Sequence, residues 1–179
     1  MSAGPLAVPP VPPVLRGDRV TLRHAVPADR AGLREILAEP SVARWWGTDS
    51  AAAAADDVLD ETGHTAFVIE VDGRVAGAIL CSEEEEPDYR HASIDIFLAT
   101  AEQGRGFGPD ALRTLLRWVF TVRGHHRVTI DPALANVRAI ATYRKVGFRP
   151  VGVMRRYERG RDGTWHDGLL MEMLAGDRV

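Results

Sequence analysis

Residues 103–108, Gln-Gly-Arg-Gly-Phe-Gly, place three glycines in five positions directly before an apolar helical pattern. Glycine in such density costs conformational entropy, so it marks backbone that must do what a side chain would prevent. Two readings are open: a tight turn, or a cradle for an anion at a helix N-terminus. Downstream, Leu112, Leu115, Leu116, Val119 and Phe120 recur at the i, i+3, i+4, i+7, i+8 spacing of a helix face that packs on a sheet. Proline suits a first helical turn, which sets the helix start near Gly108 or Pro109. Loop 103–108 then turns free amides and the positive end of the helix dipole toward a ligand, an arrangement suited to a diphosphate, with Arg105 able to add a charge-assisted contact. A Walker loop would end in Gly-Lys-Ser/Thr, whereas the chain has Gly108-Pro109-Asp110. A dinucleotide fingerprint counted from Gly104 would need glycine where Pro109 stands. Both are excluded.

The remaining reactive residue types are sparse. Cys81 is the single cysteine and sits in a strand-like run, so it reads as an inert buried thiol, without a disulfide or a cysteine zinc cluster. The histidines form no metal-ligand spacing; His125 and His126 precede a strand and read as surface. The acidic run Glu83 to Glu86 reads as a solvated loop tip.

The elements that must hold the glycine loop follow from periodicity. Alternation marks strands at 19–25, at 65–71 and 74–83 joined by Asp72-Gly73, at 91–99, at 126–132, and at the two C-terminal runs around Arg161-Asp162-Gly163. Helical spacing marks 27–40, an alanine-rich stretch to about Glu61 preceded by a short helix or a mobile loop from Ser41, the helix through about Arg123, and 136–147 closed by Gly147. Strands and helices mix without strict alternation, which predicts an α/β fold with a mixed, mostly antiparallel sheet of about seven strands and about four helices. The proline-rich residues 1–16 read as a flexible lead-in to a single domain over 17–179. With 45% hydrophobic residues, 26% charged and a net charge of −3, the 179-residue chain can bury a core and has no basic field for nucleic acid. Neither a signal peptide nor a membrane span is recognisable, and a cytoplasmic protein is expected.

The stretch Gln103-Gly104-Arg105-Gly106-Phe107-Gly108, between a strand and a helix, resembles the pyrophosphate loop of the GNAT superfamily of acyl-CoA-dependent N-acyltransferases. "DPALANVRAIATYRKVGF" is similar to that family's second signature, Asn-x-x-Ala-x-x-x-Tyr-x-Lys-x-Gly-Phe. The likeness spans roughly residues 17–175 and implies a GNAT fold with acetyl-CoA as co-substrate and no metal. Asn136 and Tyr143 stand seven residues apart, on one helix face and about 10 Å apart along the axis. The resemblance implies that Asn136 meets the pantetheine arm while Tyr143 protonates the departing thiolate. It also implies that the backbone near Phe97 or Leu98 polarises the thioester carbonyl.

A finer likeness, to aminoglycoside 6'-N-acetyltransferases, rests on "ARWWG", "SIDIFL", "TIDPALANVRAIATYRKVGF" and "DGLLM". It implies a primary amine as acceptor, most of all the 6'-amine of an aminoglycoside. Protein N-terminal amines and siderophore precursors are the alternative acceptors. In "SIDIFL", Ile94, Ile96 and Leu98 point one way and Asp95 the other, toward a cleft. Asp95 becomes the candidate base, Asp131 and Asp167 further carboxylates for ammonium groups, and Trp45 and Trp46 flat walls for a sugar or a cation. Nucleic-acid and membrane partners are not expected, and a monomer or homodimer is.

Overall fold

The structure, a computed structural model, describes residues 13–46, 50–60 and 62–177. Among these, eight strands form one sheet: β1 Leu15–Arg16, β2 Thr21–His24, β3 His64–Val71, β4 Arg74–Glu84, β5 His91–Leu98, β6 Arg127–Ile130, β7 Arg149–Arg159 and β8 Trp165–Leu174. The spatial order is β1-β2-β3-β4-β5-β6-β8-β7. Neighbours are antiparallel except β5 and β6, which run parallel. Five helices accompany them: α1 Arg30–Ala38, α2 Pro40–Ala43, α3 Ala51–Leu59, α4 Phe107–Thr121 and α5 Val137–Val146.

Strand alternation sorts the apolar residues onto two faces. Phe67, Ile69, Ile79 and Ile94 meet Leu112, Leu115, Leu116 and Val119 of α4 and Ile140 and Val146 of α5. On the opposite face Val68, Ala78, Leu80 and Phe97 meet Leu33, Ile36 and Leu37 of α1 and Val58 of α3. The result is a three-layer α/β/α arrangement. The β3–β4 hairpin turns at Asp72 and Gly73, both at positive φ (50° and 72°), as a tight hairpin of matching twist requires.

Several sequence expectations shift. Leu15 and Arg16, expected in the lead-in, pair with Leu22 and Thr21 as β1, while residues 1–12 lie outside the described residues. Pro40 opens a short helix of its own, α2, Pro40–Ala43, and the helix count among the described residues rises to five. Gly47 and Glu61 lie outside the described residues. His125 is not a surface residue: it is 2% exposed and bonds the Glu83 carboxylate, which also takes two N–H groups of Arg123 at 2.9 Å. Glu83 therefore leaves the solvated acidic run and ties the end of β4 to the C-terminus of α4. Burial alone would raise its pKa, but hydrogen bonds from His125 and Arg123 outweigh burial and hold it down at about 2.

Candidate active site

Parallel pairing between β5 and β6 is confined to Ala92↔Val128 and Ser93↔Thr129. β5 continues to Leu98 while β6 ends at Ile130, so the strands part and leave a gap in the sheet. Ala99 N–H donates to the Ala76 carbonyl (2.8 Å), toward β4. By strand alternation the Leu98 backbone groups face the other way, into the gap, and those of Phe97 face β4. The Leu98 carbonyl is taken by Gln103 Nε2 at 2.9 Å, which fastens the glycine loop to the end of β5. The Leu98 amide remains the donor on that side.

Loop 103–108 enters α4 through two left-handed residues, Gly104 at φ 74° and Gly106 at φ 88°, the latter the N-cap. A Cβ on Gly106 would stand 2.9 Å from Arg19 Nη1. Arg19 arrives from the β1–β2 turn, lies over the Phe107 ring at 4.5 Å and donates to the Arg105 carbonyl. Asp110 accepts the backbone amides of Asp18, Arg19 and Val20 at 2.8–3.2 Å, which locks that turn onto the start of α4. The cradle is therefore a braced piece of backbone whose first-turn amides are available to an anion.

Gap, loop and helices line one cleft of about 1310 Å³. α5 forms a wall of it: Asn136 caps the helix by accepting the Ala139 amide at 3.2 Å, and Tyr143 is 8% exposed with its ring edge-on to Phe148. Burial, then the charges of Asp95 and Asp131, raises the Tyr143 pKa, so the hydroxyl keeps its proton at neutral pH. Asp95, Asp131 and Glu158 contribute carboxylates to the cleft. Asp95 is exposed on β5, yet desolvation within the cleft, followed by the charge of Asp131, pushes its pKa up to about 6. Glu158 is raised as well, by burial and then by Asp131. A hydrogen bond to Asp131, with burial second, pushes the Tyr157 phenol up to about 12. Trp46 stands edge-on to Phe97 at 4.7 Å, and Trp45 carries the Arg44 guanidinium at 4.7 Å. The α1–α2 corner below them is held to the end of β5, since Glu39 Oε2 accepts the Thr100 amide at 2.6 Å.

The sequence profile of the Acetyltransferase (GNAT) domain matches residues 19–149, most of the chain. The chain belongs to the GNAT acetyltransferase family. It is 31% identical over 155 residues to aminoglycoside N(6')-acetyltransferase type 1 of Klebsiella pneumoniae, covering 76% of this chain and 77% of that one. It is 29% identical over 154 residues to spermidine N(1)-acetyltransferase of Escherichia coli K12, covering 81% and 82%. Among solved structures, Mycobacterium smegmatis RimJ in complex with CoA-disulfide superposes with a TM-score of 0.77 at 26% identity, over 87% of this chain and 82% of that one.

In this GNAT chain, Trp45, Trp46, Asp95, Phe97, Leu98, Gln103, Gly104, Gly106, Gly108, Asp131, Asn136 and Tyr143 all line the cleft. Three expected site residues do not. Arg105 points out and pairs with Glu102 at 2.6 Å. Phe107 is a core residue, 3% exposed. Asp167 accepts the Arg156 amide at 2.8 Å, and its own carbonyl accepts the Leu134 amide at 2.8 Å. Arg156 sits at φ 50° within a register shift where β7 runs from Met154↔Gly168 to Glu158↔His166. Asp167 thus pins a bulge, and the bulge delivers Tyr157 and Glu158, two cleft residues that sequence reading missed. Gly168 makes room for them, since a Cβ there would lie 3.0 Å from the Tyr157 ring.

Proposed function

We propose that this acetyltransferase moves the acetyl group of acetyl-CoA directly to a primary amine of a polycationic acceptor, with the 6'-amine of an aminoglycoside as the acceptor of first choice. The observation that carries the acceptor class is the convergence of Asp95, Asp131 and Glu158 with Trp45 and Trp46 on one cleft. Several ammonium groups would meet fixed carboxylates there, and flat rings would flank a sugar or a cation. The likeness to relatives named for an aminoglycoside and for spermidine supports the same class.

Loop 103–108 is the cradle for the diphosphate, and the parted strands β5 and β6 admit the pantetheine arm. Asn136 spends its Oδ1 on the helix cap, which leaves its amide nitrogen for the arm. The Leu98 amide is the donor for the thioester carbonyl, worth most where charge builds on that oxygen. An ammonium with pKa near 10 must lose a proton before it attacks. Asp95 takes it, directly or through water; with a pKa of about 6 it is a better base than an ordinary aspartate. The amine nitrogen then bonds the carbonyl carbon and loses its second proton to solvent, the C–S bond breaks, and the Tyr143 hydroxyl gives its proton to the leaving thiolate. The Asp95 proton leaves through solvent, and Tyr143 regains one the same way. Cys81 is buried and takes no part.

A second reading takes the alternative acceptor, an N-terminal peptide amine. Assays of CoA release and product mass with kanamycin-like aminoglycosides, spermidine and short peptides separate the two. A polycationic acceptor should be acetylated, with affinity falling as salt rises. Analogues with a hydroxyl at the 6' position should bind without reacting. Rapid peptide acetylation with no turnover of polycationic amines would overturn the first reading.

A further inference from the structure

One carboxylate beside the cleft takes no part in the transfer chemistry and is not spent on its own helix. Glu39 joins α1 to α2, and its backbone carbonyl accepts the Val42 and Ala43 amides at 2.9 and 2.8 Å, which starts α2. Its side chain makes no cap bond there. It crosses instead to Thr100, 61 residues on, where Oε2 accepts the backbone amide at 2.6 Å and the hydroxyl as well. The Thr100 hydroxyl proton is thereby committed, so the Ser41 hydroxyl donates to Thr100 Oγ1 at 2.5 Å. Thr100 opens the 3-10 turn Thr100–Glu102, and Gln103 directly after it bonds the Leu98 carbonyl at 2.9 Å. The corner fastened in this way brings Ser41, Val42, Trp45 and Trp46 to the cleft, which Glu39 and Thr100 themselves do not line. Trp46 meets Phe97 edge-on at 4.7 Å, and Phe97 stands between Asp95 and Leu98 on β5.

We propose that Glu39 is a positioning residue for the acceptor: through Thr100 its carboxylate sets the tryptophan-bearing corner against the end of β5, and so fixes Trp45 and Trp46 relative to Asp95 and the Leu98 amide. The proposal rests on the assignment of both tryptophans to the acceptor wall above. α2 is four residues long, a single turn, so its own hydrogen bonds hold the corner weakly. Yet a displacement of about 1 Å at a reacting pair can cost about 100-fold in rate. Two charge-assisted hydrogen bonds onto the exit of β5 supply the missing constraint. They end on the segment that also carries the Leu98 amide and leads into the glycine loop. Acceptor wall and thioester donor therefore take their positions from one stretch, residues 98–103.

Steady-state kinetics with kanamycin and acetyl-CoA, beside acrylamide quenching of tryptophan fluorescence, test the idea on Glu39→Ala, Glu39→Gln and Thr100→Val. Glu39→Ala should raise KM for kanamycin by about three- to tenfold, the scale of one or two net hydrogen bonds, and leave KM for acetyl-CoA unchanged. Quenching should increase, and the increase should vanish in a Trp45→Phe/Trp46→Phe background. Glu39→Gln keeps an oxygen that accepts both Thr100 donors and should restore both readouts to wild type. Glu39→Ala/Thr100→Val should be no worse than Glu39→Ala alone, because the two changes remove one linkage. The proposal is overturned by an unchanged kanamycin KM in Glu39→Ala, by an equal rise for both substrates, or by additive effects of the two substitutions. A Glu39→Gln variant as impaired as Glu39→Ala overturns it too, since charge and not position would then be what Glu39 supplies. A wild type that acetylates short peptides but not kanamycin removes the polycationic acceptor alone, and the same comparisons then hold with the peptide. Quenching needs no acceptor, so an unchanged value in Glu39→Ala overturns the positioning role whatever the enzyme acetylates. Circular dichroism at the assay temperature verifies that each variant is folded.

Discussion

The two sides of the cleft are made in different ways. The side proposed for the thioester is local: Gln103 to Gly108 and the first turn of α4 are contiguous, and what they present is backbone. The side proposed for the acceptor is gathered from Trp45 and Trp46 after α2, Asp95 on β5, Asp131 after β6 and Glu158 on β7, and what it presents is side chains. A local backbone device has few ways to vary, because any Cβ at Gly106 meets both a left-handed φ and Arg19. A wall assembled from four segments can change one carboxylate at a time. The first side therefore tolerates little change at Gly106, whereas the second can be altered one group at a time.

Tyr143 stands where the two sides meet, and its loss should have the largest effect. Tyr143→Phe is expected to lower kcat by about 10²–10⁴-fold, the worth of a general acid, with acetyl-CoA affinity unchanged in titration. An unchanged kcat would return Tyr143 to a packing role. Next comes the loop. Gly106→Val forces a β-branched residue to φ 88°, a strain of about 1–3 kcal/mol, and crowds Arg19. Acetyl-CoA affinity should fall by about 100-fold, so the stabilisation of about 2.7 kcal/mol expected at a hundredfold excess of ligand over Kd largely disappears. A folded variant with full affinity would make the loop a mere turn.

The acceptor side should answer to pH. Asp95 must be ionised to accept a proton, and its pKa lies near 6, so kcat/KM should be level above that value and fall about tenfold per unit below it. Glu158→Gln removes a like charge that raises Asp95, and the acid limb should move to lower pH. A limb that stays in place would detach Glu158 from Asp95. Stability has the opposite sign. The folded pKa lies above the unfolded value, so ionising Asp95 costs stability as pH rises from near 4 to 6 and beyond. Asp95→Asn should therefore raise Tm at pH 7.5 and leave it unchanged below pH 4, while removing most of the turnover.

What could be read in the sequence follows the same division. The glycine loop, the α4 stripe and the Asn136–Tyr143 spacing are patterns within one element, and they appear in the fold within a residue or two of expectation. Arg105 departs from expectation because its direction depends on Glu102 and on Arg19, which reaches the loop from 86 residues away. Glu83 and His125 depart for the same reason: an acidic run and a histidine pair look solvated until the fold brings them together across 42 residues. Tyr157 and Glu158 left no local signal, because the bulge that aims them depends on a hydrogen bond to the facing strand.

That bulge gives the smallest and most discriminating test, because Asp167 has two readings that respond differently to the same change. As an acceptor carboxylate it would need its charge. As the pin of the bulge it needs only an oxygen that accepts the Arg156 amide. Asparagine keeps that oxygen and drops the charge, whereas alanine drops both. On the bulge reading, Asp167→Asn should leave acceptor KM within experimental error of wild type. Asp167→Ala should raise it by about threefold as Tyr157 and Glu158 lose their aim, a modest share of what misplacement of a reacting group can cost. Neither change should alter KM for acetyl-CoA, since the residue touches neither the loop nor α5. Gly168→Ala should resemble the alanine variant, because its methyl would stand 3.0 Å from the Tyr157 ring and 3.2 Å from Met154. If Asp167→Asn raises acceptor KM as much as Asp167→Ala, with a weaker salt dependence, charge rather than geometry is what Asp167 supplies, and the carboxylate belongs to the acceptor wall after all.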